Sequence, residues 1–303
     1  MSRLGNIVVL AFASILLFSC SHSQPGSKGK EVETETSGST EILVDESLAS
    51  IVEAQWYVFE STYPRADIKL NYKPEIPLVN AFLSDSARVA IMARTLTPEE
   101  ASVFERKKIV VRVNRFAIDA VALVCNKSVA DSNVTVREII DILQGKSSKR
   151  PLIFDNSNSS TVRYLKELAK ISKLPSKGVY ALQTNPEVIK FVHNNKGAIG
   201  VIGINWYKQP GKDLEKYVSG LTLMGVKNLP GKPGSDRYYK PSQDNLATEL
   251  YPLRRGLYII NCQGGPGLGW GFASFLAGDI GQRIVLKSGL LPDKMPPREI
   301  FVR

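Results

Sequence analysis

The chain has 303 residues, 39 Lys and Arg against 29 Asp and Glu, a formal net charge of +10 and two histidines. At 43% apolar and 22% charged it has ordinary globular composition, neither disordered nor collagen-like, and it is long enough for two domains. Two histidines and three widely spaced cysteines leave little material for Ser/His/Asp or Cys/His catalysis or for a zinc site, so no catalytic residues, metal or cofactor are expected. The positive charge points to an anionic partner: nucleic acid, a membrane surface or a small acidic ligand.

The N-terminus narrows that choice. Arg3 supplies a basic start, residues 7–18 form an apolar stretch too short for a mature membrane span, and Leu17-Phe18-Ser19-Cys20 resembles a lipobox. Residues 1–19 are therefore expected to be a lipoprotein signal peptide and Cys20 the lipidated first residue of the mature chain. Ser21 stands where an Asp would signal inner-membrane retention, which favours the outer membrane in a two-membrane cell. Residues 20–39 have almost no apolar content and are expected to be a flexible tether. An exported protein does not meet nucleic acid, so that partner is not expected.

From Thr40 onward, short apolar runs alternate with helical patterns. Strands are predicted at 41–44, 68–72 and 89–92, with helices over 48–61, over 77–83, and from Pro98 to about Lys107. The last opens on a capping box, Thr97-Pro-Glu-Glu100. A strong strand follows at 116–125, then a second capping box, Thr135-Val-Arg-Glu138, whose helix stops at Gly145. Further strands are predicted at 151–154, 198–202, 221–224 and 258–260. Further helices cover 162–171, 185–195 and 272–288, the last broken around Gly278-Asp279. Alternating strands and helices predict an α/β fold with parallel sheet. No sequential linker is visible, which suits a chain that crosses twice between two lobes. Cys125 and Cys262 each end a strand-like run, and read either as a disulfide or as two buried thiols.

Five segments in order resemble a type II periplasmic solute-binding protein, specifically the phosphate-binding component of phosphate ABC transporters. They are Ile42-Leu-Val-Asp45-Glu46-Ser47-Leu48 with Phe59-Glu-Ser-Thr-Tyr63-Pro64; Ala90-Ile-Met-Ala-Arg94 running to Glu100; Ala120-Val-Ala-Leu-Val-Cys-Asn126 with Leu143-Gln-Gly145-Lys146; Asp155-Asn-Ser157-Asn-Ser159-Ser160-Thr161-Val-Arg163; and Ala198-Ile-Gly with Tyr251-Pro-Leu-x-Arg255 and Phe275 to Gln282. The resemblance implies a two-lobed α/β fold joined by two crossing strands, with lobe one at 40–122 and 248–303, lobe two at 123–247, and a ligand held between them without catalysis. It also implies that the protein delivers phosphate or a similar oxyanion to ABC permease subunits, at the membrane through its lipid, as a monomer. The alternative is a binding-fold lipoprotein acting as a sensor or surface adhesin.

The residues offer two places for an oxyanion. Ser47 and Leu48 open a helix, and Ser157, Ser159, Ser160 and Thr161 precede another, where unpaired N–H groups and hydroxyls converge. Arg94 and Arg163 would add charge-assisted contacts. The plainer reading makes the serines N-caps, Arg94 a structural ion pair and Arg163 a solvated helix residue. Asp45 and Glu46 stand where the family has small polar residues, and Glu75 replaces part of a glycine-rich loop. Each is a candidate acceptor for the proton of hydrogen phosphate, or, for Asp45 and Glu46, a helix-dipole partner. Gly264 to Gly271 reads as a structural turn, His193 as a capping or surface residue, and 208–240 as a solvated basic loop.

Overall fold

The computed structural model describes residues 33–297, so the expected signal peptide, Cys20 and most of the expected tether lie outside the described residues. The first strand, β1 (Ser37–Asp45), starts three residues before the expected Thr40. The correction has a simple cause: β2 (Arg65–Lys73) runs parallel to it from Ser37↔Arg65 to Asp45↔Lys73, so even Ser37-Gly-Ser is held by ladder bonds. After a 3-10 turn at Glu46–Leu48 comes α1 (Ala49–Thr62), and β2 is followed by α2 (Glu75–Leu83) and β3 (Val89–Met92). β3 lies parallel to β1 on its other side. The first predicted capping box forms, with Thr97 Oγ1 accepting from Glu100 N–H at 3.3 Å and α3 spanning Pro98–Arg106.

The long β4 (Arg112–Asn126) organises the molecule. Its last ten residues before Asn126, Phe116 to Cys125, are all buried, as expected of a strand covered on both faces. Asp119 is the one charged residue within that run. After β4 come β5 (Asn133–Thr135), α4 (Val136–Leu143) on the second capping box, β6 (Leu152–Phe154), α5 (Ser160–Ala169), β7 (Val179–Ala181), α6 (Asn185–Asn194) and β8 (Ile199–Gly203). Two short helices, α7 (Ile204–Lys208) and α8 (Glu215–Val218), lead to β9 (Leu221–Leu223), β10 (Gly225–Lys227) and α9 (Gln243–Ala247). The chain ends with β11 (Arg254–Asn261), α10 (Leu268–Ala277), α11 (Asp279–Lys287) and β12 (Leu291–Pro292).

The strand order is β2-β1-β3-β11-β4-β8-β6-β7, with β9 and β12 also on β4. β4 carries both halves of the sheet. Arg112 to Ala120 pair antiparallel with β11, and Val121 to Val124 pair with β8. At the changeover the second crossing segment is tied in: Val121 N–H donates to Leu253 O at 2.8 Å, and the buried Tyr251 hydroxyl donates to Val121 O at 2.8 Å. The result is a mixed α/β, two-lobed architecture with helices on the sheet. Residues from Glu33 onward pack as a compact unit, and every core residue belongs to it. Among the described residues, no helix is long and apolar enough to cross a membrane.

Of the two readings left open for the cysteines, the structure agrees with buried thiols: Cys125 and Cys262 are both free and buried. Cys262 follows Asn261, which pairs with Arg112, whereas Cys125 lies near the other end of β4, about 40 Å away at strand rise, far beyond disulfide reach. The glycine-rich stretch at 264–271 is a turn only in part, because α10 begins at Leu268 and takes in its second half. His193 lies in the last turn of α6, where its Nδ1 is 3.0 Å from Tyr217 O, and so links α6 to α8.

Candidate ligand site between the lobes

Parallel β1 ends at Asp45, and the chain turns there because Asp45 Oδ1 accepts Ser47 N–H at 3.0 Å, capping the 3-10 turn ahead of α1. Asp45 rather than Ser47 is the cap. Ser47 is therefore left with a side chain free to face the other lobe. There its hydroxyl is hydrogen-bonded to that of Ser160, the first residue of α5, at 3.0 Å. Into this pair reaches Arg255 from the start of β11. Its Nη1 donates to Ser160 Oγ at 2.8 Å, its Nη2 to Ser47 Oγ at 3.2 Å, and its Nε to Asp119 Oδ2 at 2.9 Å. All five residues are buried, Arg255 with 5% of its surface exposed and the others with none.

Around this centre the charge is mostly negative. Burial works against the Arg255 charge, but Asp119 and Asp45 hold the guanidinium above its usual value. Burial raises Asp45 to about 6, with Arg255 and Ser160 opposing. Burial, then Asp155 and Asp45, raise Glu46 to about 7. Asp119 is likewise raised by burial, against Arg255. Asp45 Oδ2, Glu46 Oε1, Asp119 Oδ1, Asn185 Oδ1 and both polar atoms of the Asn205 side chain are buried without a hydrogen-bond partner. The site thus presents one guanidinium, two hydroxyls and a surplus of acceptors. Among the described residues, no group of three or more His, Cys, Asp or Glu is arranged to hold a metal ion.

The other sequence candidates have separate partners. Arg94 donates Nε to Glu75 Oε1 at 3.2 Å and makes a bidentate pair with Glu100, with distances of 2.7 and 2.8 Å. Arg163 donates to the same Glu75 oxygen and to Glu167. Glu75, 2% exposed, therefore serves as a bridge between the two arginines across the lobes, not as a lone carboxyl beside the serines. Ser159 is the N-cap of α5. Thr161 donates to Asp155 Oδ1 at 2.8 Å, and Asn185 Nδ2 donates to Asp155 Oδ2 at 3.1 Å, so these side chains form a network behind the helix start. Leu48 is fully buried in the apolar core, which takes its side chain out of the site. Ser157 is exposed at the loop tip, outside the buried cluster.

The principal residue that sequence reasoning missed is Arg255. Its motif, Tyr251-Pro-Leu-x-Arg255, was visible, but nothing local aims it at Ser47, 208 positions away. Asp119 carried a clearer signal, a lone acid within an apolar strand, which requires a buried cationic partner.

The PBP superfamily domain model matches residues 29–279. No curated protein matches the sequence. Among solved structures, one from Clostridium perfringens, assigned as a phosphate ABC transporter substrate-binding protein and holding bound phosphate, is 18% identical, with 85% of this chain and 100% of that chain covered and a TM-score of 0.69. An ABC-type phosphate transport receptor from Vibrio cholerae is 16% identical, with 84% and 100% covered and a TM-score of 0.62. The fold is wider than transport: HinK, a LysR family transcriptional regulator from Pseudomonas aeruginosa, is 11% identical, with 91% and 76% covered and a TM-score of 0.53. The chain belongs to the PBP superfamily and has the two-lobed fold of a type II periplasmic binding protein.

Proposed function

We propose that this protein is a lipid-anchored substrate-binding protein that captures phosphate or a similar protonated oxyanion between its lobes and delivers it to an ABC permease. The observation that carries the reading is Arg255, a buried cation in contact with one hydroxyl from each lobe. An entering anion would replace the direct Ser47–Ser160 contact and take N–H and O–H donors from both sides, so that only the closed lobes complete its shell. The surplus of acidic acceptors selects an anion that still carries a proton: Asp45 Oδ2 and Asp119 Oδ1 have no partner, and a fully deprotonated oxyanion would meet them with like charge. Of the three candidate proton acceptors, Asp45 is the favoured one, since Glu75 is held by Arg94 and Arg163. The phosphate-related relatives and the five matching segments support the same ligand class. Anchoring through Cys20, toward the outer membrane, rests on the signal-peptide pattern.

Calorimetry on residues 24–303, which contain the whole core, tests the proposal with phosphate, sulfate and molybdate. Saturable heat with phosphate and none with sulfate at neutral pH is expected. Ser160→Asp should abolish binding by placing a carboxylate against the ligand position. Absence of heat or thermal shift with every oxyanion would refute the transport reading. It would favour the sensor or adhesin alternative, in which the direct Ser47–Ser160 contact is a permanent lobe–lobe bond.

A further inference from the structure

The arginines at the interlobe site all have carboxylate partners, but among the described residues Arg112 has none. It begins β4 at the end of the sheet remote from the cleft, opposite Asn261, which is six strand residues or about 20 Å from Arg255. Its guanidinium carbon lies 4.7 Å from the centre of the Trp270 ring, and its Nη1 is buried without a hydrogen bond. A hollow of about 470 Å³ opens here, lined by Arg112, Val113, Asn114, Asn261, Trp270 and Ser274 together with two alanines. No acid lines it. The nearby Asp293 is taken by Arg115, and Asp279 by Arg283. An adjoining hollow adds the exposed Lys294. Val113 and Trp270, 44% and 36% exposed, give the rim an apolar edge. A lone cation on an aromatic face beside neutral hydrogen-bonding groups suits an amphiphilic anion.

The course of the chain says where that anion comes from. Residues Glu35 and Thr36 lie against α10 at Gly271, next to Trp270; a β-carbon on Gly271 would sit only 1.7 Å from Glu35 O. The described chain therefore begins beside this hollow. Thirteen residues, 20–32, separate Cys20 from the described fold; a tether of the expected kind and that length would span about 20 Å, so an anchored chain would hold this end at the lipid surface.

We infer that the Arg112–Trp270 hollow binds the phosphate headgroup of an anionic membrane lipid, with the indole at the water–lipid boundary. The orientation rests on the proposed anchoring; the site itself does not, and it is separate from the solute site. The test uses residues 24–303, without the anchor, and vesicles of phosphatidylcholine with or without phosphatidylglycerol. Sedimentation with the anionic vesicles only is expected, with a blue shift of Trp270 fluorescence. Arg112→Gln should weaken that binding about fivefold or more, while its melting temperature and its phosphate calorimetry stay unchanged. Equal vesicle binding by Arg112→Gln, or no preference for phosphatidylglycerol, overturns the inference. So does heat from soluble glycerol phosphate, lost in Arg112→Gln, without vesicle binding, which would mark a soluble ligand instead.

Discussion

Arg255→Met is the most informative single change. The side chain is buried and paired with Asp119, which has no exposed surface and already has one unpaired oxygen. Removing the guanidinium leaves a carboxylate in the middle of an apolar strand with no counter-charge. Breaking a buried pair from one side costs about 3–5 kcal/mol, which in a domain of this size lowers the melting temperature by about 10 °C. The double variant Arg255→Met with Asp119→Leu removes both charges, and apolar replacement of a buried pair is often neutral or better. Thermal unfolding should therefore show a large loss in the single variant and recovery of most of it in the double. Phosphate calorimetry should show no binding in either, because the anion contact is gone from both. A single variant within about 1 kcal/mol of the parent, or a double variant no more stable than the single, would show that Asp119 is not held by Arg255.

Three further outcomes follow from the same geometry. Asp45 binds its proton at about 6 in the fold against an ordinary 3.8, so the native state holds more protons than the unfolded chain between those values. Stability is then greatest below about pH 4 for this group and declines as pH rises through about 6, by about 3 kcal/mol in all; Asp45→Asn should flatten denaturant-measured stability over that range, and an unchanged slope would count against it. Gly271→Ala places a β-carbon against Glu35 O, so it should cost about 1–3 kcal/mol and hasten proteolysis ahead of β1; unaltered cleavage would mean the segment does not pack there. Burial raises the Cys125 thiol and raises Cys262 to about 11, so both should resist thiol reagents until unfolding, and reductant should leave the melting temperature unchanged. A reductant-sensitive melting curve would contradict the absence of a disulfide.

Short-range order was legible in the residues. Thr97 and Thr135 each close a capping box because the partner glutamate lies three positions on, within one helical turn. The apolar run before Asn126 could only be a strand covered on both faces, and alternating strands and helices gave the fold class. The serines were legible as helix-start residues, but their roles were not. Ser47 was freed for the cleft by the Asp45 cap, whereas Ser159 was spent as a cap and Ser160, one residue later, was turned toward the other lobe. Charge pairing was least legible, because Coulomb attraction acts across the fold without regard to sequence distance. Arg94 and Arg163 were the cations the sequence offered for the anion, and Arg255 was not among them. Glu75 engages both, from 19 and 88 positions away, and leaves Arg255 to meet the two hydroxyls. Composition and local pattern determined an α/β protein with a positive net charge. The tertiary structure alone decided which cation faces the cleft, since burial leaves a charge only the partners that the fold brings within reach.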